Sequence, residues 1–118
     1  MPEQLENFQV LRKAKDVVKM VYQETRDFPK EETYGLTSQI RRAAVSIVAN
    51  IAEGKGRQYT KEYVQFLYMA RGSGYEMITL VELAMEMGLI TQEKAGMIVK
   101  ACEEILAILN SIIKRFRS

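Results

Sequence analysis

The stretch Leu36-Thr37-Ser38-Gln39-Ile40-Arg41-Arg42-Ala43-Ala44-Val45-Ser46-Ile47-Val48-Ala49-Asn50-Ile51-Ala52-Glu53 decides the fold. Leu36, Ile40, Ala44, Ile47 and Ile51 recur at the three-and-four spacing of one helical face. Val45, Val48 and Ala52 widen that face on one flank. The apolar arc reaches roughly 200°, where a helix with a single buried side needs little more than 100°. Gly54 and Gly56 follow and are read as the stop of this helix.

Working toward the N-terminus, the polar run Lys30-Glu31-Glu32-Thr33-Tyr34-Gly35 reads as a loop. Before it, a first helix is predicted from about Leu5 to Asp27. Its apolar residues, Val10, Leu11, Ala14, Val17, Val18, Val21, Thr25 and Phe28, fall on an arc of roughly 140°. Phe28-Pro29 ends it, because a residue that precedes proline is driven out of the helical region.

Toward the C-terminus, Thr60 is read as the N-cap of a third helix that runs to Met87, with Gly88 at C′. Its core stripe is Tyr63, Phe66, Ala70, Met77, Val81 and Ala84. Gly72-Ser73-Gly74 interrupts the pattern and is read as a close-packing point or a kink, with a full break as the alternative. Thr91 caps a fourth helix from about Gln92 to Phe116, with Ile98, Ala101, Cys102, Ile105, Leu109, Ile112 and Phe116 inward. Lys114, Arg115 and Arg117 place cations at its negative end. Four long helices on short links specify an all-α, antiparallel, up-down-up-down four-helix bundle, expected as one domain over residues 1–118. Helices two to four carry more apolar arc than one copy covers. A homo-oligomer built on them is therefore expected, with helix one toward solvent.

Composition narrows the chemistry. Of the 118 residues, 47% are hydrophobic and 27% charged, which is globular and not disordered usage. Histidine is absent, so the commonest general base and metal ligand are missing. Glu82, Glu86, Glu103 and Glu104 fall on outer arcs, against a di-metal carboxylate core. No metal, cofactor or catalytic constellation is expected. Cys102, the single cysteine, lies on an apolar stripe and is read as an inert buried thiol. There is no secretory leader pattern and no apolar run of the ~20 residues that a membrane span needs. A cytoplasmic protein without a membrane partner is expected.

Net charge is only +2, too mild to announce a nucleic-acid binder by itself. The cations are grouped, however. Arg41, Arg42, Lys55, Arg57, Lys61 and Arg71 follow one another with Tyr59, Tyr68 and Tyr75 interleaved. Arginine and exposed tyrosine hold phosphate and stack bases; the alternative is a solvated face with tyrosines in a subunit interface. Gly54-Lys55-Gly56-Arg57 lacks the strand and third glycine of a phosphate-cradling loop and reads as a helix end. Arg42, Ser46, Ala49 and Glu53 form a stripe with small residues between opposite charges. It suits a neighbouring helix that offers Glu76 or Arg57, or else is bare surface.

Tyr34-Gly35-Leu36-Thr37-Ser38-Gln39-Ile40-Arg41-Arg42-Ala43-Ala44-Val45-Ser46-Ile47, then Asn50-Ile51-Ala52-Glu53-Gly54 and Gly56-Arg57, resembles the four-helix-bundle proteins of the intervening-sequence type. Their genes were first noticed inside insertions in large-subunit ribosomal RNA genes, and they are often labelled ribosomal proteins. Phe28-Pro29-Lys30-Glu31-Glu32, Lys61-Glu62-Tyr63, Phe66-Leu67, Gly72-Ser73 and Glu76 extend the resemblance over nearly the whole chain. Val48 stands where the family usually has proline, and Ile78 where it commonly has a second glutamate. The resemblance implies an antiparallel bundle assembled as a ring, a pentamer, with no catalytic activity. It also implies architecture similar to the accessory protein of diversity-generating retroelements, a basic pentamer that engages a reverse transcriptase and nucleic acid. Within this motif Arg42, Ser46, Asn50, Glu53 and Glu76 are expected to serve structure and subunit contact. RNA or DNA is the expected partner of the basic cluster, and a protein-protein scaffold is the alternative.

Overall fold

The computed structural model describes residues 2–117, with side chains from residue 6 onward. Its helices are α1 (Pro2–Thr25), α2 (Leu36–Lys55), α3 (Thr60–Glu86) and α4 (Gln92–Arg117), with a single 3₁₀ turn at Lys30–Glu32. No strand occurs among the described residues. At ~1.5 Å per residue the 27-residue α3 is about 40 Å long, close to the 43 Å long axis of the molecule.

α2 packs on α1 and α3, α3 on α4, and α4 closes back on α1. Each seam is antiparallel. Between α1 and α2, Phe8 meets Lys55 at one end and Thr25 meets Arg41 at the other. Between α3 and α4, Arg71 meets Asn110 and Gly74 meets Cys102. The α1–α4 seam carries ion pairs Glu6–Arg115, Lys13–Glu104 and Glu24–Lys94. One core joins all four helices, with Val10, Val21, Ile40, Ile47, Ile51, Leu67, Met77, Ile98, Ile105 and Leu109 at its centre.

Several boundaries are set as the residues dictate. The Thr91 hydroxyl accepts the Lys94 N–H at 3.2 Å and so caps α4. Gly88 ends α3 with φ 77°. The Leu89 N–H reaches the Ala84 carbonyl and the Gly88 N–H that of Met85, the paired bonds of a Schellman end.

Three expectations are corrected. Gly54 does not stop α2. It is buried inside the last turn, where a Cβ would lie 2.9 Å from Phe66 Cβ and 3.3 Å from the Tyr63 carbonyl. The glycine is there so that α3 can approach. Thr60 is the first residue of α3, not its N-cap; Tyr59 holds that position with no side-chain bond. Leu67, not Phe66, completes the α3 core stripe: Leu67 is fully buried and Phe66 only partly. The expected close-packing point within Gly72-Ser73-Gly74, by contrast, is made by Ser73 and Gly74 in a continuous helix, while Gly72 faces open space. Gly74 lies against Leu106 and Cys102, and the Ser73 and Ser46 hydroxyls share a hydrogen bond of 2.8 Å across the α2–α3 seam.

Candidate functional site

The turn from α2 to α3 gathers Lys55, Arg57, Tyr59 and Lys61 at one end of the bundle. Lys55 sits in the last turn of α2, where the helix end is negative. Its Nζ lies 3.4 Å from the centroid of the Phe8 ring of α1, a cation–π contact that holds the ammonium against the ring face. Arg57 donates to Glu53 Oε1 at 2.6 Å and covers the Phe66 ring at 4.7 Å. That pair is exposed, so it holds Arg57 only weakly. Tyr59 and Lys61 are exposed. A cleft of about 270 Å³ opens beneath them, lined also by Asn7 and Tyr63. The Asn7 amide donates to the Tyr63 hydroxyl at 2.7 Å, and Tyr63 meets Phe116 edge-on at 5.7 Å.

The remaining cations of the sequence cluster lie elsewhere. Arg71 is ten residues beyond Lys61, about 15 Å along α3. It donates to Asn110 Oδ1 at 3.0 Å and stacks over Tyr68 at 4.7 Å. Arg41 is fourteen residues before Lys55, about 21 Å away along α2, where Thr25 and Tyr22 of α1 hold it. Two cations that the sequence assigns only to the helix dipole join Arg71. Because α4 runs antiparallel to α3, Lys114 and Arg117 line one groove of about 500 Å³ with Arg71. The signal that would have found them is the register that pairs residue 71 with residue 110. The bundle end thus presents Lys55, Arg57, Tyr59 and Lys61 at the turn, while Lys114 and Arg117 share a separate groove with Arg71, which lies over Tyr68.

The small-residue motif divides. Asn50 donates to the Ser46 carbonyl at 2.9 Å and to its hydroxyl at 3.1 Å, so both residues serve the α2–α3 seam of their own chain. Arg42 and Glu76 line a shallow groove on the outside of that seam with Gln39 and Ser46. Glu53 pairs with Arg57 of the same chain. Val45, Met69 and Leu83 are exposed on α2 and α3.

No group of three His, Cys, Asp or Glu among the described residues is placed to hold a metal. Cys102 is fully buried and its thiol donates to the Gly74 carbonyl at 3.5 Å. Burial, then the Glu103 carboxylate, pushes the thiol from its ordinary 9.0 to about 12. The thiol is therefore neutral in the folded chain well above the pH at which the unfolded chain ionises. Folding stability linked to Cys102 is complete below pH 9 and falls between pH 9 and about 12. The wild type is expected to lose stability over that window more steeply than Cys102→Ala, measured as thermal midpoints against pH. The native thiol should also resist alkylation at pH 8 until the chain unfolds.

The family model described as 23S rRNA-intervening sequence protein matches residues 6–111. Among solved structures, the chain is similar to a protein of unknown function from the S23 ribosomal protein family of Bacteroides thetaiotaomicron. The TM-score is 0.78 at 26% sequence identity, over 97% of this chain and 99% of that one. No curated protein matches.

Proposed function

The chain belongs to the 23S rRNA-intervening sequence protein family, and from that premise we propose that it is a non-enzymatic, oligomeric binding module that holds RNA or DNA in the cytoplasm. The observation that carries the reading is the basic end of the bundle. Lys55, Arg57 and Lys61 lie at its α2–α3 turn, and Lys114 and Arg117 share a groove with Arg71 on the α3–α4 face, although the chain as a whole has a net charge of only +2. Such a patch engages the phosphate backbone and carries little base information. Tyr59 and Tyr75, both exposed, offer stacking faces to single strands.

Oligomerisation makes a weak patch effective, because repeated sites on one rigid body add avidity when the ligand spans them. The outer α2–α3 face supports assembly. It exposes Val45, Met69 and Leu83 beside the Arg42 and Glu76 groove, and α1 lies away from that face across the bundle from α3. The pentamer is proposed from the resemblance to ring-forming bundles. Light scattering should give a mass several times the 13.5 kDa chain; a stable monomer at micromolar concentration overturns the assembly.

The nucleic-acid reading is tested by titrating labelled single-stranded RNA and duplex DNA at several salt concentrations. Affinity should fall steeply with salt through counterion release. Arg57→Ala/Lys61→Ala should reduce the slope of log affinity against log salt by roughly 1.5 per subunit engaged. An unchanged slope, or no binding at low salt, removes this site and favours a protein-protein scaffold, for which the exposed apolar residues of α2 and α3 supply the surface.

A further inference from the structure

Another groove, about 850 Å³, runs between the end of α1, the Lys30–Glu32 turn and the first half of α2. Arg26, Lys30, Arg41 and Arg42 line it, and no carboxylate does. Arg26, Lys30 and Arg42 are exposed and take no part in the ion pairs found among the described residues. Arg41 is fixed. Its Nε donates to Thr25 Oγ1 at 2.9 Å, an Nη donates to the Tyr22 carbonyl at 3.4 Å, and its plane covers the Tyr22 ring at 4.4 Å. Those two bonds leave three of its five N–H donors uncommitted.

Thr37 lies among these cations in the wall of the groove. It is 8% exposed, and its hydroxyl oxygen is buried without a hydrogen-bond partner. An unpaired buried hydroxyl is costly to keep, and a χ1 turn that brings this oxygen into the groove would let a seated ligand supply its partner. The helix N-terminus does not explain the site. Glu32 Oε1 already accepts the Leu36 N–H at 3.1 Å and sets a carboxylate at the start of α2. What is left is a fixed guanidinium, three exposed cations outside the ion pairs found among the described residues, and one orphan hydroxyl. A lone carboxylate is satisfied by one arginine fork; this density of charge matches a multiply charged oxyanion.

We propose that this groove binds a phosphoryl group, as the phosphate of a nucleotide or of a polynucleotide. Arg26, Lys30 and Arg41 supply charge, and the Thr37 hydroxyl donates to a phosphate oxygen. Tyr34, almost wholly exposed at the rim, offers its ring to an attached base. Thr37 is eighteen residues from Lys55, about 27 Å along α2, so the site is separate from the turn cluster and goes beyond it.

The test is calorimetric titration of the full chain with inorganic phosphate, adenosine 5′-monophosphate, adenosine, and a short oligonucleotide with and without a 5′-phosphate. Phosphate and the monophosphate are expected to bind and adenosine is not. Thr37→Val and Arg26→Ala are each expected to weaken the monophosphate by about fivefold or more, with Lys61→Ala unchanged. Thr37→Val should also raise the thermal midpoint of the unliganded protein, because it removes the orphan hydroxyl; this shows that the variant folds. Equal binding of adenosine and its monophosphate overturns the proposal. So does phosphate binding that survives Thr37→Val and Arg26→Ala but is lost in Lys61→Ala, which returns the ligand to the turn cluster. If the oligonucleotide binds here only with its 5′-phosphate, the site stands as one for a terminal monoester. If it binds with and without it, and both lose affinity in Arg26→Ala, the site stands as one for the backbone.

Discussion

Replacing Leu67 with alanine is expected to destabilise the fold by about 2–5 kcal/mol, the range for truncating a fully buried leucine. Against a total of roughly 5–15 kcal/mol for a domain of this size, that is a large fraction. Phe66→Ala, one residue earlier and with the larger side chain, is expected to cost clearly less. The Phe66 ring is only partly buried and is roofed by the Arg57 guanidinium, so much of its surface already faces charge and water. Leu67 has no exposed surface at all. Unfolding midpoints of both variants, compared at one protein concentration so that assembly contributes equally, decide the matter. If Phe66→Ala proves the more damaging, α3 is rotated from the position described.

The second large effect is at Gly54. Alanine there places a Cβ 2.9 Å from Phe66 Cβ and 3.3 Å from both Tyr63 Cδ1 and the Tyr63 carbonyl. Phe66 Cβ and the Tyr63 carbonyl are at or next to the α3 backbone and cannot swing aside. Overpacking of this kind costs about 1–3 kcal/mol, enough to outweigh the gain in helix propensity, and Gly54→Val should be worse. The other two glycines of the α2–α3 pair give the controls. At Gly74 the new Cβ meets the tip of Leu106, a side chain free to change rotamer, so Gly74→Ala should be milder. At Gly72 nothing lies within 4 Å, and Gly72→Ala should stabilise by up to about 1 kcal/mol through helix propensity alone. A thermal ranking of Gly72→Ala above wild type above Gly54→Ala is the expected outcome, and an inverted order would sink the close-approach account.

These two cases mark where the sequence was readable. The period of Leu36, Ile40, Ala44, Ile47 and Ile51 specified α2, and all but its far end follow from it. Thr91 and Gly88 set their helix ends because their side-chain and backbone chemistry acts within a few residues. Phe66 and Leu67 sit 100° apart on one wheel, and both border the apolar arc. Which of them turns inward depends on where α2 and α4 lie, and no local pattern reports that. Gly54 was misread for the same reason: a glycine that ends a helix and a glycine that admits a neighbour are the same letter. At the candidate site, Lys55, Arg57, Tyr59 and Lys61 were legible because one short turn holds them. Lys114 and Arg117 were not, because antiparallel register carries them to Arg71 from more than forty positions away. The groove at Thr37 was invisible for a further reason. An unpaired hydroxyl is a property of the surroundings, and the sequence records only a threonine near a helix start.

The order in which the helices meet also bears on how fast the chain reaches its fold. Three of the four seams join consecutive helices, so each forms by closing a short hairpin, a cheap step in loop entropy. Only the α1–α4 seam brings distant positions together, and there Glu6 meets Arg115 across nearly the whole chain. A topology dominated by near-neighbour contacts belongs with the helical domains that fold in microseconds to milliseconds. The remote seam is then the natural last step. Its outer edge is laced by the three α1–α4 ion pairs, whose attraction dissolved salt weakens. Contacts made last are missing from the folding transition state, so added salt should speed the unfolding of this bundle and leave its refolding rate nearly unchanged.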